Sequence, residues 1–512
     1  MKNIHILTRL LAVVCLLAML ASVIACTKDP GEQKESDPVQ EKPSDSVSDS
    51  ASSSEPSEDI ETYQRHNEKY PNGTEFNILW FDAQTHFKWG GTIPCDMYIE
   101  EASQNVLSYA IYSRGVYIKE QLGVQLKMED ATAPKNVLNT LKSDIANGDN
   151  MYQLATQALN EISTLYNAGY LATTQQAGLD TSYSWFDPYL TDALTIRGKT
   201  FAFASDMAFI DKLSTVPVFF NKQIVADNGF GNLYEIVNSN QWTYDKMIEM
   251  AEQITEGPGN DDTWTEDDKY GISSQNGCSY YFMHAAGLKC IETTNDGGLR
   301  YALPDEGVIT ILQKVYTMMS NPSIFFNRQA TTGSSVTAET AIMKFTEGNA
   351  LFLIRPLQAL FDINQIADIE DFGIIPVPMM SDTQKRFYTP TNTYAAPVMV
   401  LPSKVTNAEL TEDVIQEMSM YSRQNVRPAL YEIVLGQRLV GDENASKMLD
   451  IIFDNVIYDF GLFWNLGNMR DLIVTGNTAS QALNIKNSAD SKTVSMGLVL
   501  DRFITSVEGY GN

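Results

Sequence analysis

Glu75-Phe-Asn-Ile-Leu-Trp-Phe81 is apolar at successive positions as well as alternate ones, the pattern of a strand covered by helices on both faces. The residues that follow change period. Asn105 to Leu122 places Leu107, Ile111, Ile118 and Leu122 at helical spacing, with Gly123 just past the end as a stop. Val124, Leu126 and Met128 alternate as a second strand. Pro134 opens a second helix carrying Val137, Leu138, Leu141 and Ile145, Gly148 closes it, and Met151 to Gln157 reads as a third strand. Strand, helix, strand, helix, strand at these lengths predicts right-handed crossovers and a largely parallel sheet, an α/β fold.

A second region has the same ingredients. Val216 to Asn221 is a strand, Thr243 caps a helix that runs to Ile254, and Tyr270-Gly271-Ile272 follows an acidic, Gly-rich loop from Gly257 to Asp268. Further helices are expected near Asp305 to Met319 and Ser335 to Glu347, with strands at Ala350 to Ile354 and Asp371 to Pro378. Beyond Ala408 the pattern is mostly helical. No internal repeat of solenoid period is present.

Upstream of the body lie two segments of another kind. Lys2 and Arg9 precede an apolar run from Leu10 to Ile24, shorter than the ~20 residues of a membrane-spanning helix and shaped like an export signal. It ends in Val23-Ile24-Ala25-Cys26, which resembles the lipobox of bacterial lipoproteins. That resemblance implies a signal peptide over 1–25, lipidation of Cys26 and anchoring to the outer face of the membrane; the plain alternative is a cleaved signal with an incidental cysteine. Residues 26–60 are Ser-, Pro-, Asp- and Glu-rich with almost no aliphatic side chain, a composition that cannot bury enough surface to order itself and reads as a tether.

The formal charge of -28 argues against nucleic acid and against electrostatic docking on anionic lipid. Of five cysteines, Cys15 belongs to the signal and Cys26 to the anchor. Cys95, Cys278 and Cys290 remain, with a Cys278–Cys290 pair or free thiols equally open. No CxxC, HExxH, GxSxG, P-loop or complete GxGxxG is present, and His66, His86 and His284 are scattered, so neither a catalytic nor a metal site is expected and no cofactor is implied. The acidic loop at Asp261, Asp262, Asp267 and Asp268 lacks EF-hand order and reads as solvated.

Phe219-Phe220-Asn221-Lys222, Trp242-Thr243-Tyr244-Asp245, Lys269-Tyr270-Gly271-Ile272, Phe345-Thr-Glu-Gly-Asn-Ala350 and Phe372-Gly-Ile-Ile-Pro-Val-Pro378, taken in this order, resemble the maltose-binding-like, family 1 solute-binding proteins of ABC importers. The resemblance implies a two-lobed periplasmic-binding-protein-like fold, each lobe a mostly parallel sheet flanked by helices, with ligand held in the cleft between them. Carried onto this chain, lobe one is 73–205 plus 373–430, and lobe two is 206–372 plus 431–512 with the C-terminal helices. It further implies a monomeric receptor for a small solute, a carbohydrate by family and by aromatic content, that delivers it to ABC permease subunits. The lipobox and tether suggest the envelope of a Gram-positive bacterium.

Candidate ligand-binding residues are placed by strand ends and crossovers. Trp80, able to stack on a sugar ring, and Asp82, able to accept two hydroxyl hydrogen bonds, close the first strand; core packing is the alternative for Trp80. Gln157 ends the third strand and Asp206 falls on the first crossover. Arg355 stands where the resemblance calls for an aromatic turn, so it departs from a maltodextrin site and offers a fork for a carboxylate or phosphate instead, or an internal ion pair. Asn392 and Tyr394 follow the second crossover. Trp464 offers a second stacking surface or a hydrophobic anchor at a helix end. Two other functions fit the same sequence: a tethered carbohydrate-active enzyme using two carboxylates, and a receptor that signals to a membrane sensor kinase.

Overall fold

In a computed structural model of the chain, which describes residues 61–83, 86, 94–257, 264–265, 267–275, 277–326, 338–366, 371–436 and 443–510, the first strand, β1 (Thr74–Trp80), is followed by helix α1 (Val106–Leu122), β2 (Val124–Asp130), α2 (Pro134–Asn147), β3 (Leu154–Ala158) and the short β4 (Leu171–Ala172). The signal, Cys26, the tether, Asp261 and Asp262 lie outside the described residues. The caps are those the sequence announces. The Asn105 side chain accepts from the Ser108 N–H at the start of α1, and Gly123, at φ 75°, ends it in the left-handed region that a residue with a Cβ occupies at a cost.

Two apolar clusters explain why β1 has no polar face. Phe76, Ile78 and Trp80 point into one with Ile118 and Leu122 of α1, whereas Leu79 and Phe81 belong to the other, with Val137 and Leu141 of α2. Each such side chain taken fully from water contributes ~1.5–3 kcal/mol.

The second sheet is built from β5 (Pro217–Asn221), β6 (Tyr270–Ser274), β7 (Ala350–Ile354) and β8 (Phe372–Pro376); between them run α3 (Tyr244–Ile254), α4 (Ser279–Ala285) and α5 (Glu306–Met319). Gly271 of β6 lets α3 close in: a Cβ there would sit 2.3 Å from that of Ala251. The chain returns to the first sheet as β9 (Pro397–Pro402), then continues as α6 (Ala408–Gly436), α7 (Phe460–Trp464), α8 (Met469–Val474) and α9 (Ala479–Gly509).

Strand order is β2-β1-β3-β9-β4 in the first sheet and β8-β5-β7-β6 in the second. Both sheets are mixed rather than mostly parallel. β1 pairs in parallel with β2 and β3, and β6 with β7, but β9 runs antiparallel to β3 and β4, and β5 antiparallel to β7 and β8. The reason is connectivity: β9 enters its sheet from the second lobe rather than by a helix crossover within the first.

Three chain segments run side by side between the sheets. The Val216 N–H donates to Pro390 O (2.9 Å) and that of Asn392 to Ser214 O (2.8 Å). Thr389 N–H donates to Asn455 O (2.8 Å), and Ile457 N–H returns a bond to Thr389 O (3.0 Å). Residues 431–512, assigned above to lobe two, touch both: Tyr301 OH donates to Ala489 O of α9 (3.1 Å), while near its far end Tyr166 and Ser506 hydroxyls pair at 2.8 Å and Tyr510 OH donates to Leu171 O (2.9 Å).

The residues just after the tether are tied to α6. Buried Asp413 accepts from the hydroxyls of Tyr63 (2.7 Å) and Tyr70 (2.7 Å) and from the N–H groups of His66 (2.9 Å) and Asn67 (3.1 Å), while Arg65 pairs with Glu417. Cys95, Cys278 and Cys290 are free thiols. Among the described residues no helix is long and apolar enough to cross a membrane.

Candidate functional site

In open α/β sheets the usable crevice lies beyond the carboxyl ends of strands, where strand order reverses. Order β2-β1-β3 puts that point between β1 and β3, and the parallel pair β6–β7 offers the matching edge in the second sheet. Asn160, on the 3-10 turn Leu159–Glu161 directly after β3, is buried, and its Oδ1 has no hydrogen-bond partner. Its N–H donates to Thr393 O (3.2 Å), which laces the end of β3 to the segment carrying Asn392 and Tyr394.

Asn392 works as a turn former. Its Oδ1 accepts from the Tyr394 N–H (3.1 Å) and its carbonyl from the N–H groups of Ala395 and Ala396 (3.0 Å each), an Asx turn that fixes where Tyr394 points. The Arg470 guanidinium lies 5.1 Å from the centre of the Tyr394 ring, a cation–π distance, and its Nη1 reaches Asn160 O at 3.4 Å. Burial raises the Tyr394 phenol while Arg470 draws it back down. Arg470 is held by α8, whose Ile473 carbonyl accepts from Ser279 Oγ (2.9 Å) and Tyr316 OH (3.1 Å) of the second lobe.

From the second sheet come Gln275, just past β6, and Arg355, just past β7. Arg355 donates from Nη1 to Gln275 Oε1, and Gln275 Nε2 donates to Tyr281 OH (3.4 Å). Tyr281 packs edge-on against Tyr280 with centroids 4.6 Å apart, and Tyr280 OH donates to Thr391 O (3.4 Å). Burial pushes the Tyr281 phenol up to about 12 and Tyr280 well above its ordinary value. Arg355, Tyr281, Tyr280, Tyr394, Arg470 and Asn160 therefore form one connected set drawn from both lobes.

The other expected residues sit elsewhere. Trp80 is buried, its indole N–H donating to Asp96 (3.2 Å) within the α1-side cluster, as core packing requires. Asp82 is buried with partners of its own. Gln157 spends its amide on Pro134 O (3.1 Å) and on the Ala158 N–H (2.9 Å). Trp464 stacks on Phe460 (5.0 Å) and meets Tyr166, Phe201 and Phe503; it is a helix-end anchor, not an open platform.

Asp206 lines a different cavity, of about 290 Å³, beside the first crossover. There it pairs with Arg423 (3.2 Å) and Arg427 (3.7 Å), and Lys212 pairs with Asp187 (2.9 Å) and Asp211 (3.2 Å). Burial raises Asp211 to about 6 even against the pull of Lys212.

Sequence reading missed Asn160, Gln275, Tyr280, Tyr281 and Arg470. Gln275 and Tyr281 follow the Tyr270-Gly-Ile strand and were within reach of a strand-end argument. Arg470 had no local signal, because only the fold brings α8 to Tyr394. Buried His284 lies 3.6 Å from buried Asp459, which accepts from the Cys290 N–H (2.6 Å) and thiol (3.3 Å). Thiol and imidazole thus both face the carboxylate, inside the core. Among the described residues no group of three or more His, Cys, Asp or Glu side chains is placed to hold a metal ion.

By sequence, no family model and no curated protein matches this chain. By structure it is similar to a cyclo/maltodextrin-binding protein solved with maltotetraose, at TM-score 0.54 and 14% identity over 83% of this chain and 99% of that one. It is equally similar to an extracellular solute-binding protein from Staphylococcus aureus solved with maltose, at TM-score 0.54 and 12% identity over 85% and 99%. Both of those are binding proteins, and the shared fold is the two-lobed α/β arrangement.

Proposed function

We propose that this protein is an extracellular solute-binding receptor, anchored through Cys26, that captures a saccharide between its lobes and hands it to the permease of an ABC importer. Lobe one comprises 73–205 plus 373–430, and lobe two 206–372 plus 431–512. The observation that carries the reading is the connected polar and aromatic set at the strand ends: Asn160 and Tyr394 from one lobe, Gln275, Arg355 and Arg470 from the other. A ligand touching both lobes favours the closed form by the difference in its affinity for closed and open states. The fold neighbours, solved with maltotetraose and with maltose, support a sugar as ligand class. The tether would hold the body near the membrane, and residues 63–70, the first of the body, are docked on α6.

The test is a thermal-shift screen of the full chain against mono- and oligosaccharides, followed by recovery of any ligand that binds. A saccharide at 100 times its dissociation constant adds ~2.7 kcal/mol of stability. A shift for one glycan class, with the glycan recovered intact, supports the receptor; a cleaved glycan supports the tethered enzyme instead. Absence of any shift overturns the saccharide reading.

A further inference from the structure

Arg355 is buried, 4% exposed, and burial lowers its pKa, yet its guanidinium makes a single hydrogen bond, to the neutral amide of Gln275. Among the described residues its Nε has no hydrogen-bond partner and no carboxylate forms an ion pair with it. The acids it feels, Asp362 and Glu339, stand farther off and have interactions of their own.

This is anomalous in a chain with 64 acidic and 36 basic residues, where other cations find acids: Arg300 pairs with Glu292 and Asp305, and Lys212 with Asp187 and Asp211. Arg114 shows what a structural buried arginine looks like here. Its two terminal nitrogens donate to Met207 O (2.6 Å), Ser422 Oγ (2.7 Å), Asp96 O (2.6 Å) and Met97 O (2.7 Å). Arg355 has no such cradle. An uncompensated buried cation is costly, and its position beyond the carboxyl end of β7 is where a ligand would supply the missing charge.

Arg470 is better supplied, with its Nε 4.0 Å from Asp471 Oδ1 and its Nη1 donating to Asn160 O, but the adjoining Asn160 Oδ1 has no hydrogen-bond partner among the described residues.

Resting on the receptor reading above, we propose that the ligand is an anionic saccharide whose carboxylate or sulfate ester is received by Arg355. A planar guanidinium binds either oxyanion through two parallel N–H···O bonds, which a neutral hydroxyl cannot reproduce.

Isothermal titration of the full chain provides the test, with four probes: an oligogalacturonate, the same oligosaccharide with its carboxylates reduced to alcohols, a sulfated chondroitin disaccharide, and maltotetraose. An acidic probe is expected to bind, and reduction to the alcohol to weaken it by about 30-fold or more, as expected when one partner of a buried charge pair is removed. The oligogalacturonate and sulfated arms separate carboxylate from sulfate. Arg355→Gln is expected to bring the acidic probe close to the affinity of its reduced form, with a far smaller loss for the reduced form itself; Arg355→Lys, which keeps the charge but not the fork, falls between. The reduced-ligand comparison uses the unaltered protein and stands even if Arg355→Gln does not fold. Tighter binding of maltotetraose than of either acid overturns the anionic assignment and leaves the receptor. Equal binding of the acid and its alcohol does the same. Failure of all four probes, with no shift in the wider screen, overturns both.

Discussion

Replacing Asp413 by Asn isolates the docking of residues 63–70 on α6. One fully buried carboxylate accepts four hydrogen bonds from residues 63–70, two from hydroxyls and two from backbone N–H groups, all between 2.7 and 3.1 Å. Bonds to a charged acceptor contribute ~1.5–3 kcal/mol each before compensation. Asn keeps one acceptor oxygen and turns the other into a donor that faces donors, so a net cost of about 2–4 kcal/mol is expected. The segment lies at the edge of the body, and the cost should appear as local opening rather than global unfolding. At 1.4 kcal/mol per factor of ten, the open population rises by about 30- to 700-fold. Trypsin reads this directly, because Arg65 and Lys69 lie within the docked segment, and cleavage tracks the open population when closing is fast. Asp413→Asn is expected to raise cleavage after Arg65 and Lys69 by that factor with little change in the melting temperature of the rest. An unchanged cleavage rate would refute the reasoning, and so would a melting temperature that collapses in step with cleavage.

Three further outcomes are expected. Trp80→Ala should destabilise the protein by about 3–5 kcal/mol, measured by urea unfolding, because the indole is packed among Phe76, Ile78 and Phe203; full stability with selectively weaker ligand binding would return Trp80 to the site. Trp464→Ala should be comparably destabilising by the same assay, through loss of the ring cluster with Phe460 and Phe503, and a neutral result would contradict the anchor role. Asp211, raised by burial from 3.8 to about 6, binds a proton more readily folded than unfolded, so it removes stability as pH rises through that window. Asp211→Asn should therefore gain melting temperature relative to the parent between pH 4 and 6 and hold the gain above it; a difference independent of pH would contradict the assignment.

The first lobe was legible because its signals are local. Asn105, Gly123, Pro134 and Gly148 mark their helix ends where the caps are found. Strand direction was not legible. β5 and β9 are buried at every position, and an unbroken apolar run reads the same whether its neighbours are parallel or antiparallel. The candidate set was half legible for a related reason: the positions of Arg355, Asn392 and Tyr394 follow from counting along strands and crossovers. Trp80 and Trp464 could not be told from core, because their neighbours come from residues 96 and 503, distant in sequence. Arg470 illustrates the limit most sharply, since its ring partner Tyr394 is 5.1 Å away in space and brought there only by the C-terminal helices lying across both lobes.

Small-angle X-ray scattering of the full chain, with and without a saturating saccharide from the screen, tests the central claim most directly. A ligand held between two lobes predicts a smaller radius of gyration and a shortened interlobe distance distribution on saturation. Superimposable curves at saturation would contradict a cleft that closes on its ligand.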